Sequence, residues 1–163
     1  MLQFRTEKLT DRVTRIYGFC GELMYLVEGS RKAALLDTGT GIKSLKACVE
    51  KLTDKPVMVL LTHGHVDHAM GAPEFTEVYM NHKDDSIYND HCSLEFRKEG
   101  LAGTPLEWEV EPDDFIPEAP CGDFRDLSDG DVFDLGDTTI EVYDCPGHTL
   151  GSVVMPVSYT HLT

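Results

Sequence analysis

A continuously apolar run, Val57-Met58-Val59-Leu60-Leu61, passes directly into Thr62-His63-Gly64-His65-Val66-Asp67-His68. No other feature restricts the chain as strongly. Consecutive apolar residues of this length read as a strand covered on both faces, not as a half-exposed one. Ala33-Ala34-Leu35-Leu36 is a second run of the same kind. Between the two, Ile42, Leu45, Val49 and Leu52 recur at helical spacing within residues 41–54. Strand, helix and strand make a βαβ unit with parallel pairing, so the fold class is α/β.

The flanking segments fit that frame. Residues 13–17 are rich in β-branched and aromatic side chains and predict a strand. Residues 24–28 and 33–37 flank Gly29-Ser30, a hairpin signal, and residues 131–135 and 138–143 flank Gly136-Asp137 in the same way. Residues 78–82 read as a short strand and the polar segment 83–100 as helical. Residues 105–120 hold four of the eight prolines and many acids, which predicts an irregular surface loop, with a lid as its functional version.

Three of the seven histidines fall within six positions, at 63, 65 and 68, with Asp67 among them. Imidazole and carboxylate are good ligands for zinc and similar divalent ions. His63 and His65, two residues apart at a strand end, point the same way. Asp67 and His68 lie on the following turn and face a neighbouring position. Four ligands cannot surround one ion and leave it open to water, so two adjacent metals are the natural reading. A second fragment, Asp144-Cys145-Pro146-Gly147-His148-Thr149, ends another predicted strand, and its Pro-Gly turn presents His148 as a further ligand. His82 reads as a loop residue, His91 as part of a polar segment without a ligand motif, and Met24, Met58, Met70 and Met80 as core filling.

Composition narrows the partners. Lys plus Arg number 14 and Asp plus Glu 29, giving a net charge of −15. Such a chain repels phosphate backbones and has no polybasic anchor, so neither nucleic acid nor a membrane is the expected partner. The longest apolar run is far too short to span a bilayer, and Met1-Leu2-Gln3-Phe4-Arg5 lacks the pattern of a secretory leader. Five cysteines without a Cys-x-x-Cys pair disfavour a disulfide scaffold or zinc ribbon. A cytoplasmic protein acting on a small molecule is expected. Oligomeric state leaves no signature.

The His63-His65-Asp67-His68 run and the Pro146-Gly147-His148-Thr149 turn resemble the motifs of the metallo-β-lactamase fold superfamily, and Leu36-Asp37-Thr38-Gly39 resembles its earliest motif. The resemblance covers about residues 13–155. It implies a four-layer αββα sandwich with metals at one edge of the sheet pair. It also implies that His63, His65 and His148 hold a first metal, that Asp67 and His68 hold a second, and that Asp37 orients ligands by hydrogen bonds. The implied cofactor is Zn2+, two ions in the intact domain, with iron or manganese as alternatives. The implied reaction is hydrolysis by a metal-bound hydroxide, which Asp67 holds for attack. The compact motif set is similar to glyoxalase II-like enzymes, so a thioester, ester or lactone is the expected substrate. A β-lactamase or phosphodiesterase branch, and a non-catalytic metal-binding domain, are the alternative outcomes. Flavin-linked di-iron relatives usually carry an acid where His65 stands, which favours hydrolysis.

The family also uses a later Asp bridging the metals and usually a later His. Neither has a candidate after His148, since no Asp follows Asp144 and His161 lies in an unusual tail. The last seven residues, Val157 to Thr163, correspond in one codon choice to GTC-TCT-TAT-ACA-CAT-CTG-ACG, a transposon-end adapter. The expected organisation is a partial domain over residues 1–156, lacking the C-terminal part of its second half, followed by an adapter-derived tail at 157–163.

Overall fold

The computed structural model describes residues 3–102, 104, 106 and 109–159. His161 lies outside the described residues. A seven-stranded sheet takes its strands in chain order: β1 (Arg5–Lys8), β2 (Val13–Tyr17), β3 (Leu23–Glu28), β4 (Ala33–Leu36), β5 (Val57–Leu60), β6 (Val78–Met80) and β7 (Arg125–Asp126). Pairing is antiparallel from β1 to β4 and parallel from β4 to β7. Hairpins supply the first half, and crossovers supply the second.

The two apolar runs do what their composition requires. Along β4, Ala33 and Leu35 face one apolar cluster while Ala34 and Leu36 face another. Along β5, Val57 and Val59 face the first cluster, and Met58 and Leu60 the second. The sheet is thus buried on both sides at its centre. Leu35 and Leu60 are each fully buried, worth about 1.5–3 kcal/mol apiece.

The first cluster is closed by helices α1 (Leu45–Val49), α2 (Val66–Ala69) and α3 (Asp85–His91), with Leu45, Val49, Ala69 and Tyr88 buried in it, and α4 (Leu94–Leu101) follows α3. The second lies against two small sheets. One pairs β8 (Val132–Asp134), β9 (Thr138–Glu141) and β12 (Val157–Tyr159), and the other pairs β10 (Tyr143–Asp144) with β11 (Val153–Val154). Leu127, Leu135, Ile140, Val142 and Val153 supply its far wall. Helices, large sheet and small sheets are three layers of the expected sandwich. Val157–Tyr159, the start of the tail singled out above, forms β12 against β9.

Hairpin turns stitch the sheets together. The N–H groups of Arg31 and Lys32 both donate to the Leu135 carbonyl, at 2.9 and 3.2 Å. A Cβ on Gly29 would sit 2.3 Å from that same oxygen, so this close approach requires glycine.

One sequence expectation is corrected, and one alternative is narrowed. The helix expected over residues 41–54 is only Leu45–Val49, capped by Ser44, whose Oγ accepts from the Ala47 N–H at 3.1 Å. Gly41 and Lys43 have φ of 70° and 58°, which a right-handed helix cannot contain. Ile42 instead bridges to Phe115, and both are buried. That contact also answers the lid reading for the described loop around 111–116. Ile116 N–H donates to the Gly41 carbonyl at 2.8 Å and Arg97 Nη2 to the Ile116 carbonyl at 2.8 Å, while Lys43 pairs with Asp114. The segment is strapped down. No helix among the described residues is long and apolar enough to cross a membrane.

Candidate metal centre

Asp37 organises the site. It follows β4 directly with φ of 62°, an uncommon conformation for a residue with a Cβ. Its N–H donates to the Leu60 carbonyl at 3.1 Å, which locks the ends of β4 and β5 together. One carboxylate oxygen accepts from the Thr62 N–H at 2.7 Å, and the other accepts from Thr62 Oγ1 at 2.8 Å and meets His68 Nδ1 at 2.7 Å. The Thr38 N–H then donates to the His68 carbonyl at 2.6 Å. Asp37 therefore holds both ends of the turn that carries the histidines.

These bonds fix the tautomer of His63. Thr62 has one hydroxyl proton, and it goes to the carboxylate. His63 Nδ1, 3.0 Å from Thr62 Oγ1, must then donate to that oxygen. His63 Nε2 is left as a bare lone pair, and this atom is buried without a hydrogen-bond partner among the described residues. A buried acceptor with nothing to accept costs about 1–3 kcal/mol unless something fills the position. Burial also pushes the His63 pKa down to about 4, so the ring is neutral, as a metal ligand must be.

His65 and His148 complete the cluster. The turn at Pro146-Gly147 is brought in by β11, where the Val153 N–H donates to the Thr62 carbonyl at 3.0 Å. His65 Nδ1 and His148 Nε2 then lie 2.9 Å apart. One ligand atom from each of His63, His65 and His148 falls within 4.8 Å of the others, a grouping able to hold a metal ion. The exposure of His148 and part-exposure of His65 leave the cluster open on one side.

Asp67 and His68 form a separate pair. His68 Nε2 lies 3.4 Å from Asp67 Oδ2, and the His63 and His68 rings are 4.1 Å apart. Burial alone would lower the His68 pKa, but hydrogen bonds to Asp37 and Asp67 outweigh it and lift it to about 10. The same bond from His68 holds Asp67 down to about 2. In the metal-free protein, His68 is a charged ring between two carboxylates. Because its folded pKa is raised, the stabilisation is fully present below its ordinary 6.5 and disappears as pH rises towards about 10. The metal-free protein is expected to lose up to about 1.4 kcal/mol per pH unit within that window, and a His68→Gln variant is expected to show no such slope. Parallel denaturation curves for the two proteins from neutral to alkaline pH would disprove this.

All five expected ligands therefore converge, three in one cluster and two in the adjacent pair. His82 stands apart, exposed and paired with Asp85 at 3.0 Å. His91 was missed. Its Nδ1 accepts from the Val66 N–H at 3.2 Å, and its ring stacks between His65 at 5.2 Å and Phe96 at 4.1 Å. No local spacing announces this, because packing of α3 against α2 creates it.

The family model of the metallo-beta-lactamase superfamily matches residues 17–156. The chain belongs to that superfamily. It is thereby a member of a metallo-hydrolase superfamily, and its histidine cluster stands at the sheet edge where the motif resemblance implies metals. The acyl-coenzyme A thioesterase MBLAC2 of Bos taurus is 27% identical over 157 residues, covering 81% of this chain and 52% of that protein. The atrochrysone carboxyl ACP thioesterase of Aspergillus chevalieri is 27% identical over 155 residues, covering 88% of this chain and 41% of that protein. The chain thus spans about half the length, or less, of these curated relatives. Among solved structures, a subclass B3 metallo-beta-lactamase of Bradyrhizobium japonicum superposes with a TM-score of 0.61 at 21% identity, over 94% of this chain and 56% of that one. A class B3 di-zinc metallo-beta-lactamase from an Alaskan soil metagenome gives 0.63 at 20% identity, over 97% and 58%. At these identities the superpositions establish a shared metallo-beta-lactamase fold.

Proposed function

We propose that the protein is a metal-dependent thioester hydrolase. The observation that carries this reading is the buried, unpartnered Nε2 of His63 at the centre of three converging histidines, with Asp67 and His68 beside them. His63, His65 and His148 would hold one divalent cation and Asp67 with His68 a second, and zinc suits this nitrogen and oxygen donor set. Bound cations would lower the pKa of water towards neutrality and polarise the substrate carbonyl.

The chain's own residues supply the rest. Asp67 is exposed and ionised, so it can accept a hydrogen bond from the attacking water and orient it. Asp37 fixes Thr62 and His68, and through Thr62 the ring of His63. A cation-activated water would make a thiol nucleophile unnecessary, and burial pushes the thiols of Cys20 and Cys121 up to about 11, which keeps those two protonated.

The choice of a thioester is supported by two relatives whose names specify it, an acyl-coenzyme A thioesterase and an acyl-carrier-protein thioesterase. The net charge of −15 offers no long-range attraction to an anionic carrier. The reading is therefore of a thioester bond, with the carrier unspecified. The test is to load the purified protein with zinc and offer a short-chain acyl-CoA, the matching oxygen ester and a chromogenic β-lactam. Zinc-dependent thioester cleavage, faster than the oxygen ester and without β-lactam opening, is expected. A folded, zinc-loaded protein that spares the thioester, or that opens the β-lactam faster, would contradict it.

A further inference from the structure

Asp84 is fully buried, and the reaction described above does not use it. It sits in the short turn between β6 and α3, in a polar stretch with no motif. Its two carboxylate oxygens reach both ligand-bearing turns. Oδ2 accepts from the Gly64 N–H at 3.0 Å, between His63 and His65. The same oxygen accepts from Thr149 Oγ1 at 2.7 Å, next to His148, and Oδ1 accepts from the Gly151 N–H at 2.8 Å. One side chain thereby spans positions separated by more than eighty residues in sequence.

We propose that Asp84 is a positioning residue that sets the separation of the His63–His65 turn from the His148 turn, and so determines how tightly the three-histidine site holds its metal. This rests on the reading of His63, His65 and His148 as a metal site. The chemistry specifies an acid here. Both oxygens face backbone N–H donors, and an amide could satisfy only one of them while aiming its own N–H group at the other. The glycines specify the distance. A Cβ on Gly151 would lie 2.7 Å from the Asp84 carboxyl carbon, and one on Gly64 would lie 3.2 Å from its Cβ. A side chain at position 151 would therefore collide with Asp84, and one at position 64 would crowd it. The Thr149 hydroxyl is held from its other side by Ser152 Oγ at 2.8 Å, so the second turn is also braced internally.

Groups that orient metal ligands from behind commonly cost 10–100-fold in metal affinity when removed. The experiment is zinc competition against a chromophoric chelator for the unaltered protein, Asp84→Asn, Gly151→Ala, Thr149→Val and His63→Ala. Cobalt in place of zinc reports ligand geometry through its visible spectrum. Asp84→Asn is expected to lose about 10–100-fold in zinc affinity and to alter the cobalt spectrum. Gly151→Ala changes no charge yet displaces the same turn, and is expected to do likewise. Thr149→Val removes one of the three bonds and is expected to lose a smaller factor. A residue that only stabilises the fold would lower the melting temperature of the metal-free protein and leave the cobalt spectrum of the folded fraction unchanged. That result, or native zinc affinity in folded Asp84→Asn, overturns the proposal. If Asp84→Asn does not fold, Gly151→Ala and Thr149→Val decide the matter by the same two readouts. A metal-centre failure looks different: the unaltered protein would bind zinc no better than His63→Ala, and the proposal would fall with it.

Discussion

Replacing His63 by alanine is expected to remove most metal binding at the three-histidine cluster and the hydrolysis that depends on it. His63 offers a lone pair that is buried, neutral and already aimed by Thr62 and Asp37. Zinc in four-ligand protein sites is held with about 10–16 kcal/mol, so one ligand is worth roughly 3–4 kcal/mol, or a few hundredfold in affinity. Removal of the ring also relieves an unsatisfied buried atom, which offsets part of the cost of the cavity and of the lost bond to Thr62 in the metal-free fold. The variant should therefore melt near the unaltered metal-free protein while failing to gain stability from added zinc. His82→Ala is the control, since that ring is exposed and, among the described residues, pairs with Asp85 three positions along. Zinc stoichiometry unchanged in His63→Ala, measured after dialysis, would remove His63 from the ligand set.

Replacing Asp67 by asparagine separates metal binding at the three-histidine cluster from the part of the reaction that needs the Asp67 carboxylate. The three histidines do not depend on Asp67, so the cluster is expected to retain one zinc. Turnover of the thioester is expected to fall by about 10²–10⁴-fold, the usual contribution of a positioned proton acceptor. Loss of the Asp67 charge also removes one of the two carboxylates that keep His68 protonated. His68 should then titrate at lower pH in the metal-free variant, which histidine proton shifts in an NMR titration would report. Full turnover with an asparagine at this position would show that Asp67 has no part in the reaction.

The centre of the fold was legible because it obeys one rule. Ala33–Leu36 and Val57–Leu60 are apolar at every position, and the structure buries every second residue in a different cluster. The edges were not legible. Arg5–Lys8 forms β1 with all four residues exposed, so it has no apolar alternation to read. The short α1 was overextended because Ile42 fits a helical face by spacing while the φ values of Gly41 and Lys43 forbid it. The same division holds at the site. His63, His65, Asp67 and His68 are contiguous, and the sharp Pro-Gly turn marks His148. Asp84 and His91, which contact the ligand-bearing turns, carry no local signature, because their contacts are long-range ones between α3 or the turn before it and those turns.

The central claim is that histidine nitrogens, rather than any of the five cysteines, hold a metal at this sheet edge. X-ray absorption at the zinc edge, on protein carrying one equivalent of zinc, addresses it most directly. The account predicts a nitrogen and oxygen shell at about 2.0–2.1 Å with the multiple scattering of about three imidazoles, and no sulfur shell at about 2.3 Å. A sulfur shell, or an oxygen shell without imidazole scattering, would contradict it.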